Sequence, residues 1–201
     1  ILVKGYFEMI DGTIKNNKNH AKDGSSDKLG AGVKVDGSTG GLAHFVMRGG
    51  VITGNILDWQ NGNQVAGIGY GAGVLVKQGT FEFLGGEISY NKNISYSGGG
   101  IAVQLGSVFI MDGGIVHHNE CHNHGAGIMI GIPDDFSQSS ANWVEIRSGE
   151  IHSNTARNYY SDNYAIGAGL YVQDLHGHLI LFDALVKNNS ALVEGGGIWY
   201  C

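Results

Sequence analysis

One proline among 201 residues excludes a proline-rich linker and a collagen-like chain, both of which need that residue in quantity. Cysteine is nearly as scarce. Cys121 and Cys201 fall in different repeats of the pattern described below, which argues against a disulfide framework. Charged residues make up 15% of the chain and the formal net charge is -6. The basic stripe that nucleic-acid phosphates require is therefore missing, and no nucleic-acid partner is expected. No uninterrupted apolar run approaches the ~18 residues of a spanning helix, so no membrane insertion by this segment is expected. No signal peptide is recognisable. Threonine is too scarce for flat Thr-x-Thr ice-binding arrays, and the Ca²⁺-binding nonapeptide Gly-Gly-x-Gly-x-Asp is absent.

Glycine is what the chain has in excess, at 35 residues, and it is placed periodically. Gly-x-Gly recurs as Gly30-Ala31-Gly32, Gly71-Ala72-Gly73, Gly98-Gly99-Gly100, Gly125-Ala126-Gly127, Gly167-Ala168-Gly169 and Gly195-Gly196-Gly197. Each is followed by an alternating apolar pair such as Ile101 and Val103. A second pair of the same period-two kind runs Phe7 and Met9, Phe45 and Met47, Phe81 and Phe83, Phe109 and Met111, Val144 and Ile146, Leu179 and Leu181. Alternation of this kind signals short strands. A closing apolar residue (Ile14, Ile52, Ile88, Val116, Ile151, Val186) then stands three positions before Asn17, Asn55, Asn91, Asn119, Asn154 and Asn189.

Successive asparagines of this column are 38, 36, 28, 35 and 35 positions apart, a minimal unit of about 28 residues with insertions at fixed places. A unit of that size with three short strands cannot bury its own apolar face, but stacked units bury one continuous core. The expected fold is all-β: a right-handed parallel β-helix solenoid of about six three-stranded coils. A leucine-rich repeat would need leucine columns and helical return segments, and a propeller four strands per unit.

Residues 1–201 read as a single β-helix segment that begins and stops within a repeat, the expectation being a fragment of a longer polypeptide. Insertions carry Trp59, the only proline (Pro133), and Tyr159, Tyr160 and Tyr164. Loops that interrupt a solenoid form its binding surface. These are expected to wall a shallow cleft. The outward column of the first strand (Lys34, Leu75, Ala102, Met129, Tyr171, Trp199) becomes apolar and aromatic toward one end. It reads either as an exposed interface or carbohydrate-stacking surface, or as a face covered by loops or by neighbouring protein.

The asparagine column reads as a structural ladder of stacked amides, with the residues themselves at left-handed turn positions. His117 and His152 share a repeat position, with Glu150 in the neighbouring column, and these are the donor types zinc uses. The run His117–His124 nevertheless lacks a recognised ligand spacing, so no metal and no cofactor are expected. For catalysis, Asp134, Asp135 and Asp162 join no evident second acid plus base. The recurring outward acids Glu8, Glu82 and Glu145 are interrupted by Val46, Ile110 and Ile180, which gives a pattern of dispersed surface charge.

The steps Gly85-Gly86-Glu87-Ile88-x-x-Asn91 and Gly113-Gly114-Ile115-Val116-x-x-Asn119, with the Gly-Gly-Gly-Ile and Gly-Ala-Gly steps, resemble the β-helix repeats of bacterial and archaeal adhesin-like surface proteins of the polymorphic outer-membrane type. The resemblance covers essentially the whole chain and carries no catalytic residue with it. It implies an extracellular or cell-surface segment, an adhesin-like or structural stalk that meets a glycan or a surface protein. Two other readings stay open: a polysaccharide-cleaving enzyme of pectate-lyase-like fold, and a self-associating filament subunit.

Overall fold

The computed structural model describes residues 1–21, 28–59, 69–132, 141–158, 165–173 and 178–201. Among these residues the secondary structure is all strand, with no helix. Every strand pairing is parallel. The first and third sheets take one strand from a sequence repeat and the second takes two segments, so strands adjacent in space are a whole repeat apart in sequence.

The first sheet has seven strands: Leu2–Val3, Val33–Asp36, Val74–Lys77, Ile101–Gln104, Ile128–Gly131, Leu170–Gln173 and Ile198–Tyr200. The second collects the Phe-x-Met strands Tyr6–Met9, His44–Met47 and Thr80–Phe83, and the short strands Thr13–Lys15, Val51–Thr53 and Glu87–Ser89. Both rows then merge into the ten-residue strands Val108–His117, Trp143–His152 and His178–Lys187. A third sheet, which no apolar alternation announces, is built from short strands just after the asparagine column: Lys18–Ala21, Ile56–Trp59, Lys92–Asn93, Glu120–Cys121, Thr155–Ala156 and Ser190–Ala191.

Register follows the repeat. Phe7, Phe45, Phe81 and Phe109 are mutual Cα partners along their row. Their rings stack at centroid distances of 5.1, 4.8 and 5.4 Å. Phe45, Phe81 and Phe109 are fully buried together with Met47, Phe83, Met111, Val74, Ile101 and Ile128 in one continuous cluster. Burial of each such side chain contributes about 1.5–3 kcal/mol. Because the core positions of one repeat touch those of the next, no repeat completes its core alone.

The glycine motif has two separate causes. The first glycine of each Gly-x-Gly has a left-handed backbone, with φ between 61° and 74°, a region that a side chain disfavours. The third, in every copy except Gly197, makes a close approach. A Cβ on Gly100 would lie 2.6 Å from the Gly127 carbonyl oxygen and 3.0 Å from Asn119 Nδ2. The motif therefore exists to let one strand pass against the asparagine amide of its own repeat.

That amide belongs to a continuous ladder. Asn17, Asn55, Asn91, Asn119 and Asn154 each donate from Nδ2 to the Oδ1 of the next, ending on Asn189, at 2.8–3.0 Å. The same Oδ1 also accepts the backbone N–H of the preceding asparagine. The second amide proton goes to a main-chain carbonyl, as from Asn119 to Ile88 at 2.9 Å. Asn55, Asn91, Asn119 and Asn154 are fully buried, where an unpaired amide would cost about 1–3 kcal/mol. The left-handed position is one residue earlier than the sequence suggested. It is Asn16, Gly54, Tyr90, His118, Ser153 and Asn188 that have φ between 51° and 63°, not the ladder asparagines.

Candidate functional site

The outward column of the first strand, which reads either as an exposed aromatic surface or as a covered face, is covered. Lys34, Leu75, Ala102, Met129, Tyr171 and Trp199 are in register on the first sheet. Yet Leu75, Ala102 and Met129 are fully buried and Tyr171 is 2% exposed. The alternation gives the side of the strand correctly but not what lies over it. Tyr70, Tyr96, Ile132 and Ile166, from the connections, pack over this side and make it a second core. The Tyr171 ring is held between His124, at 4.6 Å, and the half-buried Trp199, at 4.7 Å, and its hydroxyl donates to Gln173. Met129 and Tyr171 are packing residues. Tyr159, Tyr160 and Tyr164, with Asp134, Asp135 and Asp162, lie outside the described residues, as does the side chain of Trp59 on strand Ile56–Trp59.

His124 is buried in this second core, and its Nδ1 has no hydrogen-bond partner. Burial pushes its pKa down to about 4, with His122 adding to the effect.

The histidines at the edge of the second sheet form a different group from the one the sequence suggested. His117 and His152 are register partners with rings stacked at 5.0 Å. His117, however, is hydrogen-bonded to His118, whose Nδ1 lies 2.7 Å from His117 Nδ1. The carboxylate on His117 is Glu87, 3.1 Å from Nε2. Glu150 instead pairs with Lys187 at 2.8 Å, which holds its carboxyl below the usual range. His152 Nδ1 meets Ser153 Oγ at 3.1 Å, and its pKa is lowered by burial and then by His117 and Lys187. Among the described residues no group of three or more His, Cys, Asp and Glu side chains is placed to hold a metal ion. His117, His152 and Glu150 do not converge.

The outward face of the second sheet brings together residues that no sequence motif singles out. Tyr6, His44, Thr80, Val108, Trp143 and His178 are register partners across six adjacent strands, a row about 24 Å long at ~4.8 Å per strand. Two positions along each strand, and therefore on the same face, stand Glu8, Val46, Glu82, Ile110, Glu145 and Ile180. Trp143 is 41% exposed. Its indole N–H donates to Glu145 Oε1 at 2.8 Å, and its ring lies 4.9 Å from that of His178. Glu145 Oε2 accepts from Arg147 Nε and an Arg147 terminal nitrogen at 2.9 and 2.6 Å. The Trp143 indole and then Arg147 hold the Glu145 carboxyl below the usual range.

The other end of the row repeats the theme. The Tyr6 ring meets His44 edge-on at 5.3 Å, His44 Nε2 lies 2.7 Å from Glu82 Oε1, and Arg48 donates to Glu8 at 2.6 Å. An open recess of about 280 Å³, lined by Leu42, His44, Thr80 and Val108 among others, adjoins the row. Rings fixed by ionised partners, with guanidinium donors and carboxylate acceptors beside them, can stack on a sugar face and hydrogen-bond its hydroxyls. The signal was present in the sequence as an outward aromatic and histidine column in register. Thr80 and Val108 interrupt that column, so alternation alone does not announce it.

Fold and face together define an all-β protein of parallel repeat sheets. No family model, no curated protein and no solved structure matches the chain.

Proposed function

We propose that the chain is a right-handed parallel β-helix solenoid acting at the cell surface as an adhesin-like stalk, and that it binds a glycan on the face centred on Trp143. The whole-repeat register of the three large sheets supports the solenoid reading, as does the unbroken amide ladder. A stack tied in this way is stiff, which suits a stalk. The surface location rests on the resemblance of the repeats to those of adhesin-like proteins.

The observation that carries the glycan reading is the exposed Trp143 ring, fixed by Glu145 and by His178. An exposed indole held in one orientation loses little freedom when a pyranose stacks on it. The face favours binding over cleavage. The general acid of a glycosidase needs a raised pKa, whereas Glu8 and Glu145 are both lowered by their partners.

The experiment is a glycan array probed with the wild-type chain and with Trp143→Ala. The wild type is expected to bind a defined set of glycans and the variant to lose at least tenfold in affinity at unchanged circular dichroism. An array without hits, or hits that the variant retains in full, would overturn the proposal.

A further inference from the structure

Successive residues of an extended strand point to opposite faces. The left-handed backbone at His118, φ 51°, breaks that alternation just after strand Val108–His117. Both imidazoles end on one side with their Nδ1 atoms 2.7 Å apart. His117 is already oriented: its Nε2 lies 3.1 Å from Glu87 Oε1, which places the ring proton on Nε2 and leaves the Nδ1 lone pair to accept a hydrogen bond from His118 Nδ1–H. A carboxylate behind a ligating histidine fixes its tautomer in this way in metal sites. Neighbouring rings brace both histidines. His152 stacks on His117 at 5.0 Å and 8°, and Tyr90 stacks on His118 at 5.0 Å and 16°.

We propose that His117 and His118 chelate a divalent transition-metal ion through their two Nδ1 atoms, the ion replacing the proton they share, with His118 becoming the Nε2–H tautomer and water filling the remaining positions. Two nitrogens at ~2.0 Å from a metal lie about 2.8 Å apart at a right angle and about 3.3 Å apart at the tetrahedral angle. The spacing of 2.7 Å matches the right angle. That geometry belongs to Cu²⁺ and Ni²⁺, and Zn²⁺ prefers the wider one. His152 and Glu150 are engaged by Ser153 and Lys187 and contribute no donor.

The test is isothermal titration of the untagged chain with Cu²⁺, Ni²⁺ and Zn²⁺ in turn, with electron paramagnetic resonance of the Cu²⁺ form. His118→Asn removes the imidazole while keeping a residue that tolerates the left-handed backbone. One Cu²⁺ per chain with a two-nitrogen signal is expected. Affinity should fall at least tenfold in His118→Asn, about tenfold in Glu87→Gln, and less than twofold in His152→Ala. Absence of saturable Cu²⁺ binding, or a Cu²⁺ site that persists unchanged in His118→Asn, would overturn the assignment.

Discussion

Asn119 Oδ1 accepts two hydrogen bonds from Asn91, one from its side-chain amide and one from its backbone N–H, both at 3.0 Å. Removing that oxygen strands two donors inside the protein, where neither reaches water. Asn119→Ala also takes the amide donor from the Ile88 carbonyl and from Asn154 Oδ1. The expected cost exceeds about 3 kcal/mol. Asn17, at the exposed edge of the ladder, donates to Asn55 and among the described residues has no preceding rung. Asn17→Ala is expected to cost less than about 1 kcal/mol. Urea unfolding of the two variants measures the difference, and equal costs would mean that the amides are not coupled as a ladder.

The third glycine of the Gly-x-Gly step predicts a second contrast. A methyl group at Gly100 meets a backbone oxygen and a ladder amide, neither of which can move without disturbing the stack. Gly100→Ala is expected to destabilise by about 1–3 kcal/mol. At Gly197 a Cβ meets nothing within 4 Å. Gly197→Ala is expected to be neutral, and thermal melts of both variants check the pair.

His124 predicts a pH dependence of stability. Burial holds its folded pKa at about 4, below the ordinary 6.5, so above pH 6.5 the group is neutral in both states and contributes no slope. As the pH falls from 6.5 to 4, the unfolded chain takes up the proton and the folded chain does not. Stability therefore drops across that window, by up to about 3 kcal/mol in all. His124→Phe keeps a ring against Tyr171 and removes the orphaned nitrogen. The variant should flatten the slope of unfolding free energy between pH 6.5 and 4, and an unaltered slope would show that another group carries it.

The inward columns were legible in the sequence because burial imposes period two on a strand, and Phe45, Phe81 and Phe109 obey it without interruption. The asparagine column was legible for the same reason: one buried amide requires another. Burial of Tyr171 was not, since alternation reports only that a side chain leaves the core side of its own strand. The cover comes from Tyr96, Ile166 and others in connections whose sequences do not repeat. The left-handed position before each ladder asparagine was hidden by its chemistry. Gly54, Tyr90, His118 and Ser153 share a backbone conformation set by the turn and have no side-chain property in common. The short strands of the third sheet had no signal because two to four residues are too few to show a period.

Trp143 is proposed as the contact point for a glycan. That contact is tested most directly by ¹⁵N-resolved spectra of the Trp143 indole N–H during titration with the tightest ligand from the array. The account predicts a saturable shift of that resonance, as stacking perturbs the ring and its bond to Glu145, and an equal affinity from the shift and from direct binding. A ligand that saturates the protein while the Trp143 indole resonance stays fixed would contradict it.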